Sequence, residues 1–158
     1  MSYSIFMKAQ SNPFWETKTL EQMTTEEWES LCDGCGRCCL NKLEDIDTGE
    51  LHFTNVACRL LDDNSCRCDN YPQRKTLVPE CLVLDASLVK KSTALPASCA
   101  YKRLAEGKSL PAWHPLISGD SNTIHLADIS VRGKTVSERY IHIEQFEEHI
   151  VDWFDNPK

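Results

Sequence analysis

Cys32-Asp33-Gly34-Cys35-Gly36-Arg37-Cys38-Cys39 places four thiols within eight residues. No ordinary hydrophobic core needs sulfur at that density. The two glycines permit tight turns with positive φ, so several side chains can converge on one point. Thiolates at this spacing are what a soft metal ion or an iron–sulfur cluster requires. An irregular, cysteine-rich segment of this kind, rather than a regular layer, is expected to organise the fold.

The rest of the composition frames that reading. At 158 residues the chain fits one domain, expected to span 1–158, and its apolar fraction of 41% is that of a folded globular protein. No stretch approaches the ~20 apolar residues of a membrane span. Met1 to Lys8 lacks the charged head and apolar run of a signal peptide, so a cytoplasmic location is expected. Cytosolic thiols stay reduced, and nine cysteines cannot all pair within one chain. Metal ligation or redox chemistry is therefore the better account of them. The net charge of −7, with basic residues scattered, argues against a nucleic-acid groove and favours solubility.

Local signals outline an α+β architecture with flanking helices and short strands. Thr24-Thr25-Glu26-Glu27 reads as a capping box, with Met23 and Trp28 placed for a hydrophobic staple. Asp47-Thr48-Gly49-Glu50 is a turn leading into a strand at Leu51-His52-Phe53, one arm of a hairpin. Asp62 to Ser65 is turn chemistry that folds Cys58 back toward Cys66 and Cys68, as a knuckle would. A helix is expected within 73–92, another over Ala100 to Glu106 stopped by Gly107, and a strand over Ile124 to Val131. From Ser137 to Phe154, Tyr140, Ile143, Phe146, Ile150 and Trp153 recur at helical spacing.

The cysteines admit several groupings. Cys32, Cys35 and Cys38 share a two-residue gap and resemble the opening of a ferredoxin-type run, which needs a remote fourth ligand. Cys38 and Cys39 are adjacent, so one of them suits a second ion, a bridge or a structural role. Eight cysteines could fill two four-sulfur zinc sites, or one iron–sulfur cluster and one zinc ion. They could also hold a single cluster with several cysteines left over. For the isolated Cys81 and Cys99, burial as small hydrophobes is the competing reading. A redox dithiol competes for the cluster, but the chain lacks a βαβ framework.

Cys32-x2-Cys35-x2-Cys38-Cys39 resembles the signature of the CxxCxxCC (YkgJ-like) family, described as zinc- or iron-chelating proteins. The match is nearer its YcgN-like branch of small bacterial proteins. That branch is carried by Phe14-Trp15-Glu16, Cys58-Arg59-x-Leu61 and Cys66-x-Cys68-x2-Tyr71-x2-Arg74. Leu95-Pro96-x2-Cys99-Ala100-Tyr101, Leu104 to Lys108, Leu110-Pro111-x-Trp113-His114-Pro115-Leu116 and Ile129 to Lys134 extend it over nearly the whole chain. The resemblance implies a cysteine-ligated metal and no established reaction. Broader members follow the Cys-x2-Tyr-x2-Arg pattern with a proline; here Lys75 stands in its place, and Cys66 is additional.

The candidate ligands are thus Cys32, Cys35, Cys38, Cys39, Cys58, Cys68, Cys81 and Cys99, with Cys66 and His114 as further candidates. His114, held between Trp113 and Pro115, would suit a fixed imidazole, though a packed and hydrogen-bonded histidine competes. Tyr71, Arg74 and Tyr101, beside cysteines, could hydrogen-bond the sulfurs and tune the metal. No phosphate loop, nucleophile elbow or dinucleotide fingerprint occurs. The leading expectation is a small cytoplasmic protein that chelates or handles zinc or iron, with a 4Fe-4S cluster as one form of the iron. An iron- or iron–sulfur-dependent redox or group-transfer enzyme is the alternative. A structural zinc protein that presents a partner-binding surface is a third.

Overall fold

The computed structural model describes residues 12–153. Its helices are α1 (Phe14–Thr17), α2 (Thr25–Ser30), α3 (Arg74–Leu77), α4 (Ala86–Lys91), α5 (Ala100–Ala105), α6 (Pro115–Ser118) and α7 (Thr123–Leu126). Strands β1 (Leu40–Glu44) and β2 (Leu51–Ala57) form an antiparallel hairpin, and β3 (Val136–Ser137) joins β2 in parallel. The class is α+β. Among the described residues no helix is long and apolar enough to cross a membrane.

Where the local chemistry is strong, the elements begin and end as expected. Thr24 Oγ1 accepts the Glu27 N–H at 3.1 Å, and Glu27 Oε1 accepts the Thr24 N–H at 2.9 Å. This reciprocal cap fixes the start of α2. Met23 and Trp28 pack beneath it on one apolar cluster. In the hairpin, Asp45 Oδ1 accepts the N–H groups of Asp47 and Thr48 at 2.8 and 3.2 Å, closing the turn. α5 stops one residue before Glu106, and Gly107 follows in the left-handed region.

Three segments differ from expectation. The region 73–92 holds two short helices, α3 and α4, because Pro79 keeps Val78 out of the helical conformation, at φ −131° and ψ 90°, between them. Ile124 to Val131 is not a strand. Thr123–Leu126 is helical, Asp128 turns the chain at φ 60°, and Val131 then donates its N–H to the Cys35 carbonyl at 2.9 Å. Beyond β3 the chain forms 3-10 turns at Glu138–Tyr140 and Ile143–His149 rather than an α-helix. Phe146 is buried there, but Tyr140 and Ile143 are 80% and 72% exposed, so no continuous apolar face is covered.

The core consists of three small clusters, and the cysteine loop touches each. Leu31 joins Leu20, Val89, Leu95 and Tyr101. Leu40 joins Ala57, Cys66 and Val131. Cys35 joins Ile124 and Ile129. Gly36, at φ 79°, lies so close to the second cluster that a Cβ there would sit 2.8 Å from Val131 Cγ2 and 3.2 Å from Cys66 Cβ.

Gly36→Ala should therefore suffer twice, from about 1–2 kcal/mol of left-handed strain and from overpacking of about 1–3 kcal/mol. Gly133→Ala, at φ 71° with nothing within 4 Å of the added Cβ, should suffer the strain alone. Urea denaturation of the two variants checks this; equal losses would contradict it.

Candidate metal centre

The loop between α2 and β1 has little regular hydrogen bonding of its own and is held by side chains. Asp33 is 4% exposed, and its Oδ1 accepts the Cys35 N–H at 3.0 Å. Its Oδ2 is buried and has no hydrogen-bond partner. Arg37, 3% exposed, donates from Nε to the Ile129 carbonyl at 2.8 Å and from Nη1 to Ser98 Oγ at 3.3 Å. Its backbone N–H points at Cys35 Sγ, 3.4 Å away. The Arg67 guanidinium lies against Gly34, and its Nη1 reaches within 4.0 Å of Cys32 Sγ.

All nine cysteines are free thiols. Their mutual electrostatics divide eight of them into two groups. In the first, Cys32, Cys35, Cys38 and Cys99 all feel the charge of Asp33. Cys38 in turn acts on Cys32, Cys35 and Cys99. In the second, Cys39 feels Cys58 and Cys68, Cys58 feels Cys81, and Cys81 feels Cys68. The groups meet at the adjacent Cys38 and Cys39, whose thiols act on each other, and Cys38 also acts on Cys81.

Most of these thiols resist ionisation. Cys32 is open to water as a residue, yet protein atoms crowd its sulfur and burial drives the thiol up to about 11, with Cys38 and Asp33 adding to the effect. Burial takes Cys99 to about 12 and Cys35 well above its usual range. Cys38 goes the other way. The adjacent Cys39 thiol draws it down, and the Lys42 ammonium assists against the cost of burial. Cys39, beside the Cys38 thiolate and largely buried, is raised.

Cys66 does not join either group. It turns at φ 60° into the cluster of Leu40, Ala57 and Val131. Its Sγ donates to the Asp63 carbonyl at 3.8 Å, and burial raises its thiol. His114 is fully buried. Its Nδ1 accepts the Leu116 N–H at 3.0 Å, which leaves the proton on Nε2 to be donated to the Leu31 carbonyl at 2.8 Å. Both nitrogens are thus taken, and the imidazole has no lone pair for a metal. The flanking hydroxyls are also spent elsewhere. Tyr101 donates to the Trp28 carbonyl at 2.7 Å and Tyr71 to Glu29 Oε2 at 2.8 Å. Arg74 stacks 3.7 Å from the centre of the Tyr71 ring, and its charge lowers Cys81 against a larger effect of burial.

Two residues beyond the sequence candidates act on the thiols. Lys42 Nζ donates to the carbonyls of Cys38 and Leu40 at 3.3 and 2.8 Å and lies 5.0 Å from the centre of the Phe53 ring. Nothing in the sequence marks it. Asp33 carried a signal, since an aspartate two residues before a backbone N–H favours an Asx turn.

Among the described residues no three cysteine, histidine, aspartate or glutamate side chains already stand together in ligating geometry. The donor chemistry nonetheless fits a thiophilic ion. Eight of the thiols act on one another in pairs, cations stand at Lys42, Arg67 and Arg74, and one buried carboxylate oxygen is left unsatisfied.

Comparison with known proteins gives this arrangement a lineage. Residues 31–100 match the CxxCxxCC family model, described as a "putative zinc- or iron-chelating domain". A UPF0260 protein of Allorhizobium ampelinum is 55% identical over 143 residues, covering 90% of each chain. One of Agrobacterium fabrum is 57% identical over 141 residues, covering 89% of this chain and 87% of its own. One of Rhodopseudomonas palustris strain TIE-1 is also 57% identical over 141 residues, covering 89% and 83%. No solved structure matches the chain.

In the reduced, metal-free chain, Cys38 should be the first thiol alkylated by iodoacetamide near neutral pH, because its thiolate is favoured. Lys42→Met removes the nearby positive charge, raises that thiol and should slow its labelling several-fold. Peptide mass spectrometry reads both results; uniform labelling of all nine thiols would contradict them.

Proposed function

The chain belongs to the UPF0260 family, and with its chelating domain as the starting point we propose that it is a cytoplasmic metal-holding protein. Cys32, Cys35, Cys38 and Cys99 bind zinc or iron at one centre, and Cys39, Cys58, Cys68 and Cys81 at another. A 4Fe-4S cluster is the iron form of the same reading. The observation that supports it best is the packing of four thiols into residues 32–39, where Cys38 acts on Cys32, Cys35, Cys81 and Cys99, and Cys39 lies within reach of Cys58 and Cys68.

The chemistry of each group follows from its electrostatics. A thiol held protonated by burial ionises when a cation takes the place of its proton, so loading releases protons and depends on pH. Cys38, already biased toward the thiolate, is the natural first ligand of its group. Lys42 beside it compensates part of the negative charge that four thiolates would gather. The role that suits such donors is chelation and handling of the ion.

Protein purified without oxygen should carry cysteine-bound zinc or iron, read by elemental analysis and by absorption. A broad visible band marks a cluster, and a colourless protein marks zinc. Cys35→Ser and Cys68→Ser should each remove about half of the metal, one centre apiece. A folded, monodisperse chain without metal would overturn the proposal. Loss of all metal in either variant would overturn the two-centre arrangement.

A further inference from the structure

We infer that Arg67 and Arg132 form a docking site for an anionic metal chelate, a carboxylate-bearing carrier from which the ion passes to Cys32. The inference rests on the metal-holding reading above and adds to it the form in which the ion arrives.

Two guanidinium groups stand uncompensated beside the cysteine loop. Both Arg67 and Arg132 are exposed. The chain carries 24 acidic residues against 17 lysines and arginines, so a surface cation has acids to pair with. Lys18, Arg59, Lys90, Lys108 and Lys134 each do so. Among the described residues neither Arg67 nor Arg132 forms an ion pair. The acids of the neighbouring turn are engaged with other groups. Asp62 Oδ1 accepts the N–H groups of Asn64 and Ser65 at 2.8 and 3.2 Å, and the Asp63 carboxylate accepts from Gly133 and Thr135.

Geometry joins this pair to the first thiol. Gly34 has no side chain, and a Cβ there would sit 2.9 Å from Arg67 Nη2, so the guanidinium fills the space that any other residue would take. Arg67 Nη1 thereby stands 4.0 Å from Cys32 Sγ. Arg132 Nε donates at 2.5 Å to the carbonyl of Asn64, in the turn that leads into Arg67. The two charges share a neighbour: the His125 imidazole, kept from protonation first by burial, feels both Arg132 and Arg67.

Such a pair suits carboxylates. A guanidinium presents a planar fork of N–H donors that matches two carboxylate oxygens. The same charges repel a free divalent cation and attract a chelate with surplus carboxylates. Transfer is then a ligand exchange without redox change. A metal–carboxylate bond breaks and a metal–sulfur bond to Cys32 forms. The thiol proton goes to solvent, and the chelator leaves as the free anion.

The reduced full-length chain is mixed in a stopped-flow cell with anionic zinc nitrilotriacetate and, separately, with a cationic zinc–triamine complex. The ultraviolet absorption of the zinc–thiolate bond gives both rate constants. In the unsubstituted chain the anionic route should slow as salt is added. In Arg67→Gln the ratio of the anionic to the cationic rate constant should fall about three- to tenfold. Arg132→Gln should lower the ratio in the same direction and carries the measurement if circular dichroism shows that Arg67→Gln does not fold. A merely structural role slows both routes alike, so an unchanged ratio in a folded variant overturns the inference and leaves the metal reading standing. So does an anionic route indifferent to salt. A chain that takes zinc from neither complex overturns both.

Discussion

A buried arginine holds the cysteine loop in place. Arg37 reaches 92 residues along the chain to the Ile129 carbonyl and 61 residues to Ser98. Removing a guanidinium from water is costly and lowers its pKa; the nearby charges of Asp33 and Asp128 work against that cost. Those groups belong to the loop and to the segment that wraps it. The same pairing thus ties the thiols to their surroundings and makes burial of the cation tolerable.

From this anchor the electrostatics of the site follow. Burial keeps Cys32, Cys35 and Cys99 protonated, and Asp33 reinforces it. Cys38 and Cys39, adjacent in sequence, act on each other and are pushed in opposite directions. The adjacency that makes joint ligation of a single ion awkward is thereby put to use. Cys38 acts on Cys32, Cys35 and Cys99, and Cys39 is acted on by Cys58 and Cys68.

Features set by a few consecutive residues were legible in the sequence. The Thr24–Glu27 cap, the Asp45 turn and the stop at Gly107 each depend on side chains within a few positions of the backbone they bind. The density of thiols at 32–39 was equally plain. What could not be read depends on contacts distant in sequence. Ile124 to Val131 has the composition of a strand, yet the helical start, the turn at Asp128 and the tie to Cys35 decide its path. The apolar spacing after Ser137 suggested a helix that tertiary packing does not cover. Cys66 and Cys68 look alike in sequence, and only the left-handed backbone at Cys66 turns its sulfur toward Val131. The unused oxygen of Asp33 and the reach of Lys42 are likewise visible only in three dimensions.

Every cysteine lies between positions 32 and 99, but the groups that seat them extend well past that interval. The Ile129 carbonyl holds Arg37, and Val131 closes over Gly36. His114 ties down Leu31, and Glu138 receives both the backbone and the guanidinium of Arg59 next to Cys58. A truncated fragment ending after Cys99 would keep all the sulfur and lose the clamp around it. The C-terminal third is therefore part of the vessel rather than an appendage to it.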